Sequence, residues 1–445
     1  MAGRTTLLFG FLAIALTTGI AAAADPPRAV VVVTIDTLRP DRLGCYGYQR
    51  PTSPAVDALL ARGARFERAR TDEPLTTPAM CTMVTGLEPH VHGASRNGLG
   101  LEPGVDSLPK RLASHGWHTA AFVSNWTLKD KLSNLGEHFD HYAEVFTRRR
   151  WFGLLNAEAT GEDVTDEALD WAGEYFEGDR PAPLFLWVHY VEPHAPYRFH
   201  TQYADRLGIT DRDPVRSDRY DTEVAAVDAA VGRLLDGLAE HLEADRTITV
   251  FTADHGESLG EHDYWGHGRN LYDPSLRIPL GIVWPGTVEQ GTIREQATLL
   301  DLAPTILELL GYPVPEAFPG QSWAAALRGG PSPPERAICY QAHKGAVLGE
   351  SDHDRKRSKG LLSVAVVEGD VKEILRVKDN SHHLFDLAAD PLELDSLVTA
   401  DLQPSEAVLT CLVTISEGLG ALDRLTTKKL DDETVEQLRA LGYVD

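Results

Sequence analysis

The sequence predicts an α/β protein: a mostly parallel sheet sandwiched by helices, with a small antiparallel sheet appended near the C-terminus. Three observations carry this. Apolar runs of strand length alternate with stretches of helical spacing, the order that builds a parallel sheet covered on both faces. The first run, 28–35, is continuously apolar and β-branched instead of alternating, as a strand buried on both faces requires. After about residue 326 the texture changes to a proline-rich linker (Pro331, Pro333, Pro334) followed by short strand-like runs.

The elements follow in order. Arg28 to Ile35 is a buried parallel strand that delivers Asp36 to its end. Pro54 to Ala61 is a helix with Val56, Leu59 and Leu60 on one face and Gly63 as its stop. Ser107 to His115 is a short helix closed by Gly116, and His118 to Val123 is a strand. Leu184 to His189 is a further apolar strand. Tyr220 to Leu242 is a long amphipathic helix, its Val224, Val227, Val231, Leu234, Leu235, Leu238 and Leu242 held at helical spacing. Thr247 to Thr252 is a strand ending before Asp254, Ile278 to Trp284 another, and Asp301 to Leu310 a helix capped near Asp301 and ended by Gly311. Leu361 to Val367 and Val371 to Val377 are strands of the C-terminal sheet, and Asp431 to Tyr443 reads as a helical tail.

The chain has 445 residues, 43% of them hydrophobic and 24% charged, enough for one large α/β unit over 25–325 and a smaller one over 326–445. A net charge of −24 excludes nucleic acid as a partner, since a phosphate backbone demands a basic surface. Arg4, the apolar stretch Leu7 to Ile20 and the small residues Ala21 to Ala24 form a secretory signal over 1–24, so export to the periplasm or the exterior is expected. That stretch is short for a membrane span, and no stable span is expected elsewhere. Cys45, Cys81, Cys339 and Cys411 allow three disulfide connectivities and include no CxxC pair for a zinc–thiolate site.

Chemistry-bearing residues gather at strand ends, where open α/β sheets place their sites. Asp36, His189 and Asp254 all sit there, although His189 reads more readily as a satisfied core histidine. Asp254 and His255 are adjacent, one hard oxygen and one imidazole, a pairing that suits Zn or Mn better than an all-oxygen site would. His262 and His267 follow within a glycine-rich stretch, an unusual pattern for a core. His194 lies between Pro193 and Pro196, in a stiffened loop fit for a substrate contact. In Pro74 to Gly93 a hydroxyl beside a metal could serve as a nucleophile, but residue chemistry alone does not choose among Thr76, Thr77, Thr82 and Thr85.

Taken together and in order, these segments resemble the sulfatase family, in the sulfatase-like branch of the alkaline phosphatase superfamily. The resemblance rests on Asp36 to Gly47, Thr52 to Phe66, Thr85-Gly86-Leu87 to Gly93, Pro193-His194-Ala195-Pro196, Asp254-His255-Gly256-Glu257 with Gly260-Glu261-His262, Asp301 to Thr305, and Leu384 to Leu387 with Asp390-Pro391. It implies an alkaline-phosphatase-like core and one divalent metal ion, Mn or Zn favoured and Ca or Mg possible. Counting back from Thr85-Gly86, the position that family members modify to formylglycine holds Thr76, and the arginine position holds Met80. The family's Gly-Lys-Trp-His gives way to Ser124-Asn125-Trp126-Thr127, and its later lysine to His267. The remaining set is similar to that of the threonine-nucleophile relatives, the lipoteichoic acid synthases and phosphoethanolamine transferases. The similarity implies Asp36, Thr76, Asp254 and His255 around the metal, Thr76 as nucleophile, and His194 and His267 assisting catalysis. His262 and Arg39 are placed at the substrate. The expected activity is hydrolysis of phosphate, phosphonate or sulfate esters of small molecules, glycans or lipids. Transfer of a phospho-group to an envelope glycan or lipid, and metal-free binding without catalysis, are the alternatives. The region from Phe146 to Thr160, with Trp151 and Phe152, is a candidate pocket wall; oligomeric state is not legible.

Overall fold

The computed structural model describes residues 27–150, 155–178, 181–211, 213–346 and 356–424, of which 148–150 and 155–158 are described by their backbone. The expected signal segment, the helical tail over 431–443, and Trp151 and Phe152 lie outside the described residues.

Eight strands form the main sheet: β1 (Ala29–Ile35), β2 (Ala64–Arg70), β3 (His118–Val123), β4 (His141–Glu144), β5 (Leu184–Tyr190), β6 (Thr247–Ala253), β7 (Leu280–Val283) and β8 (Gly291–Thr298). Their order is β8-β2-β7-β6-β1-β5-β3-β4. β1 runs parallel to both neighbours, β5 and β6, and all seven of its residues are buried, as its unbroken apolar run requires. β7 alone is antiparallel to the strands beside it, β6 and β2.

Helices flank this sheet in two groups. α1 (Pro54–Leu60) and α4 (Gly161–Glu177) both pack on α5 (Arg216–Leu238), with α4 also against β3 and β5. α2 (Thr76–Thr85) packs with α3 (Leu108–Ser114) and α6 (Leu302–Leu309). α5 starts before Tyr220 and stops at Leu238 rather than Leu242. Its apolar stripe is embedded in the core, while Asp221, Thr222 and Glu223 are buried with it. α4 went unread in the sequence, although Thr160 and Asp163 form a reciprocal capping box at its start. Asp301 does not cap α6 with its side chain. Its carboxylate instead accepts from Thr298 N, Gln321 N and the Arg336 guanidinium, holding a turn together.

The C-terminal unit is a four-stranded antiparallel sheet, β9 (Ile338–His343), β10 (Leu361–Glu368), β11 (Val371–Arg376) and β12 (His382–Asp386), in sequential order. α7 (Glu406–Leu422) lies on it, burying Val408, Cys411, Ile415 and Leu419 at helical spacing. Of the three connectivities, the structure adopts one bridge, Cys339 to Cys411 across a Cα separation of 5.9 Å, which clamps α7 to β9; Cys45 and Cys81 are free. Buried charges join the two units: Arg70 at the end of β2 pairs with Asp273 at 2.8 Å, and Lys372 of β11 bridges Asp273 and Glu393 at 2.8 and 2.6 Å.

Candidate active site

β6, β1 and β5 are adjacent and parallel, so their carboxyl ends open on one edge of the sheet. Asp36 follows β1, Asp254 follows β6, and His189 lies in β5 opposite Thr34. All three are fully buried, and their ligand atoms lie within 4.8 Å of one another. The chain leaves β1 through Thr37 at φ 56°, a left-handed conformation that a β-branched residue rarely adopts. That turn aims the Thr37 N–H at Asp254 Oδ1 (2.9 Å), and the His255 N–H donates to the same oxygen (2.7 Å). Asp254 Oδ2 and Asp36 Oδ1 are left buried without hydrogen-bond partners among the described residues, as is His189 Nε2. Asn125 Nδ2 donates to the other Asp36 oxygen. Burial, then the Asp254 carboxylate, push the Asp36 carboxyl well above the usual carboxylate range. Burial raises Asp254 too, with His189 opposing it.

Thr76 opens α2, and the four threonines of this segment separate by their partners. Thr77 Oγ1 donates to Thr127 O (3.0 Å), Thr82 Oγ1 meets His92 Nε2 (3.1 Å), and Thr85 Oγ1 donates back to Cys81 O (2.7 Å). Thr76 Oγ1 faces His255 Nε2 at 3.4 Å. His255 Nδ1 lies 2.9 Å from Gly256 O, and a carbonyl only accepts, so Nδ1 carries the hydrogen and Nε2 presents a lone pair. That lone pair is directed at Thr76 Oγ1 and stands 3.2 Å from Asp254 Oδ2. The N-terminus of α2 adds a partial positive charge at the same hydroxyl, which favours its anion.

Three imidazoles converge here. The rings of His255 and His267 lie 4.3 Å apart, and those of His267 and His194 lie 5.3 Å apart. Burial, then His267, hold His255 neutral, well below the ordinary histidine range, and the same two causes push His194 down to about 4. His267 goes the other way: burial opposes its charge, but the buried Glu257 carboxylate, 3.3 Å from Nδ1, outweighs burial and raises it. The site therefore favours charge on one imidazole and disfavours it on the two beside it.

Two expected substrate contacts are placed differently from the rest. The Arg39 guanidinium binds Asp41 in bidentate fashion (2.8 and 2.6 Å), Glu261 (2.7 Å) and the Glu257 carbonyl (3.0 Å), so its donors staple the loop after β1 to the loop after β6. His262 lies flat on Tyr272, ring centroids 3.7 Å apart, outside the trio of imidazoles that surrounds His255. Sequence reasoning missed Asn125 and Glu257 and set His189 aside as core. His189 does make a core hydrogen bond, Nδ1 to Thr34 Oγ1 (2.8 Å), while its Nε2 faces the carboxylates. Its place at the end of an all-buried strand was the available signal.

The donor set fits a divalent cation. Two buried carboxylates that each present an unpaired oxygen to one space, with imidazole nitrogen at its border, are a cost that a cation removes. Asp36, Asp254, His255 and Thr76 Oγ1 would hold it, with His189 Nε2 facing the same space.

An alkaline-phosphatase-like sheet with carboxylates, imidazoles and a hydroxyl at its strand ends defines a hydrolase acting on ester bonds. The Sulfatase family model matches residues 28–312, most of the chain, and the model for the C-terminal part of N-sulphoglucosamine sulphohydrolase matches 260–410. The chain belongs to the sulfatase family. Relatives include an uncharacterised sulfatase of Escherichia coli (strain K12), YidJ, 26% identical over 429 residues and covering 84% of this chain and 83% of that one. A choline-sulfatase of Rhizobium meliloti (strain 1021) is 26% identical over 426 residues, covering 80% of each. Among solved structures, the phosphonate monoester hydrolase of Agrobacterium radiobacter superposes with a TM-score of 0.67 at 20% identity, covering 89% of this chain and 96% of that one.

Proposed function

We propose that this chain is an exported, metal-dependent esterase that cleaves phosphate, phosphonate or sulfate esters through a Thr76 nucleophile. One observation carries the reading: Thr76 Oγ1, alone of its segment's hydroxyls, faces the His255 lone pair beside Asp254, at a helix N-terminus. A divalent ion held by Asp36, Asp254 and His255 would lower the pKa of that hydroxyl and offset charge on the reacting group. Thr76 Oγ1, its proton given up to solvent water, would then attack phosphorus or sulfur in line with the leaving oxygen. His267, whose proton affinity Glu257 raises, would supply a proton to that oxygen, and His194 lines the same space. Threonine has one hydroxyl, so the covalent ester would be released by attack at phosphorus or sulfur, by water or by another acceptor. Arg39 acts as a positioning residue, tying the two strand-end loops together. Export is supported by the N-terminal apolar stretch and by the Cys339–Cys411 bridge, since disulfides persist in oxidising compartments. Among the described residues no helix is long and apolar enough to cross a membrane.

The test is steady-state hydrolysis of aryl phosphate, phosphodiester, phosphonate and sulfate esters, metal by metal, by the wild type and by Thr76→Ala. Activity that needs Mn or Zn and is lost in Thr76→Ala is the expected result. Activity that survives Thr76→Ala would overturn the assignment of the nucleophile.

A further inference from the structure

A second set of ligand-type side chains lies apart from the strand-end carboxylates. Glu192 follows β5 in the loop that carries His194. His200 precedes the short helix Thr201–Ala204, and Glu223 lies in α5. One ligand atom from each falls within 4.8 Å of the others. Both glutamates are buried, at 5% and 2% exposure, which is uncommon for carboxylates. Each has one oxygen engaged by a backbone N–H: Gly161 N donates to Glu192 Oε2 (2.7 Å) and Arg198 N to Glu223 Oε1 (2.6 Å). The cluster does not close on itself. His200 Nε2 stands 3.6 Å from Glu223 Oε1, beyond hydrogen-bond distance, and this buried nitrogen has no hydrogen-bond partner among the described residues.

We propose that Glu192, His200 and Glu223 form a second divalent-cation site, of zinc type, with water completing the shell. Two carboxylate oxygens and one imidazole nitrogen are the donors of a three-ligand zinc site. Ligand atoms around a tetrahedral zinc stand about 3.4 Å apart, so side-chain adjustments of about 1 Å or less close the present spacing. The cation would give the His200 nitrogen the partner it lacks among the described residues. Its role is positional. Gly161 opens α4, Glu223 belongs to α5, and the loop between Glu192 and His200 carries His194 and Tyr197. Thr222 Oγ1 already accepts from His200 N (3.1 Å), and Tyr197 packs edge-on to Tyr220 (5.4 Å), so the loop is seated on α5 with the ligands converging. A cation there would fix where His194 stands relative to His267.

The inference stands independently of the strand-end metal centre, and one experiment separates them. The full chain is stripped with chelator, equilibrated with Zn²⁺ and assayed for zinc per chain by mass spectrometry of the metal. Wild type, His200→Ala, Glu223→Gln and Asp254→Asn are compared. Two zinc per chain in the wild type, and one in each variant, is the expected result. If Asp254→Asn matches the wild type while His200→Ala loses one, the strand-end centre fails and this site stands. Wild-type zinc content in a folded His200→Ala, with Zn²⁺ raising its Tm as much as it raises that of the wild type, overturns the site. His200 sits at the edge of its helix and is half-buried, so its alanine variant keeps the test open should Glu223→Gln fail to fold.

Discussion

Buried charge is handled in opposite ways in two regions of this molecule. Between the main sheet and the C-terminal sheet, Arg70, Asp273, Lys372 and Glu393 alternate in sign, and each is within 2.9 Å of an opposite charge. Asp273 is held far below the usual carboxylate range: burial would raise it, but Arg70 and then Lys372 more than reverse that. At the carboxyl ends of β1 and β6, like charges meet instead. Asp36 and Asp254 face one another with unpaired oxygens, and both carboxyls are pushed up. All three carboxylates are buried, and burial raises each of them, so the opposite outcomes follow from their partners. Compensated charge holds the subunits of the fold together, whereas uncompensated charge is tolerated where a ligand or a cation supplies the missing partner.

The largest expected effect tests the uncompensated region. Asp254→Asn removes one of the two facing charges and should lower hydrolysis by on the order of 10³-fold, since a cation contributes several kcal/mol of charge stabilisation. The same variant, stripped of metal, should melt higher than the stripped wild type, because like-charge repulsion is gone. An equal or lower Tm in the stripped variant would mean that the carboxylates do not strain the fold. The compensated region should answer in reverse. Asp273→Ala leaves Arg70 and Lys372 buried without that carboxylate and should destabilise by about 3–5 kcal/mol in urea unfolding. Its folded fraction should keep the wild-type kcat. A loss of kcat larger than the loss of folded protein would show that the two regions are not separable.

How much of this was legible in the sequence follows the same division. Continuous apolar runs made β1, β3, β5 and β6 readable, because a strand buried on both faces leaves little choice of residue. The Arg-rich β2, Ala64–Arg70, escaped because only some of its residues are buried and its charges are satisfied by partners distant in the chain, such as Asp273. α4 and α7 were missed although both carry serine or threonine caps, since their apolar positions are diluted by acidic or small residues. Within the site, Asp36, Asp254, His255 and Thr76 were marked by order and resemblance. Residue chemistry alone did not separate Thr76 from Thr77, Thr82 and Thr85; the count back from Thr85-Gly86 did. Asn125 reaches Asp36 from 89 residues away and Glu257 reaches His267 across a loop of 10, contacts set by the fold and not by spacing. Arg39, placed at the substrate by its motif, turned out to be occupied by Asp41, Glu261 and a carbonyl.

Thr37 sharpens the comparison at smaller scale. Its left-handed backbone and its buried, unpartnered hydroxyl are both costs carried by the uncompensated region. Thr37→Gly keeps the N–H that supports Asp254 while removing the β-branch and the hydroxyl. It should stabilise the chain by about 1–2 kcal/mol, read as a higher urea midpoint at constant m. A lower midpoint would show that the threonine side chain packs better than its strain costs.

The last expected effect concerns a group that burial keeps neutral in the folded chain. His92 is fully buried beneath α2. Its Nδ1 accepts the Ala94 N–H (3.1 Å), and its Nε2 lies 3.1 Å from Thr82 Oγ1. Protonation at Nδ1 would set two N–H groups against each other, and burial, then His90, push this imidazole down to about 3. In the unfolded chain the same ring takes its proton near the ordinary value of about 6.5. Between those two values the unfolded state binds the extra proton, so stability is complete above about pH 6.5 and falls as the pH drops toward about 3. The slope from this one group is at most about 1.4 kcal/mol per pH unit. His92→Gln, neutral at every pH, should show a shallower loss of stability between pH 6 and pH 4 than the wild type by that amount. Parallel curves for the two proteins would mean that His92 is protonated in the folded state, and that the acceptor geometry at Nδ1 does not hold it neutral.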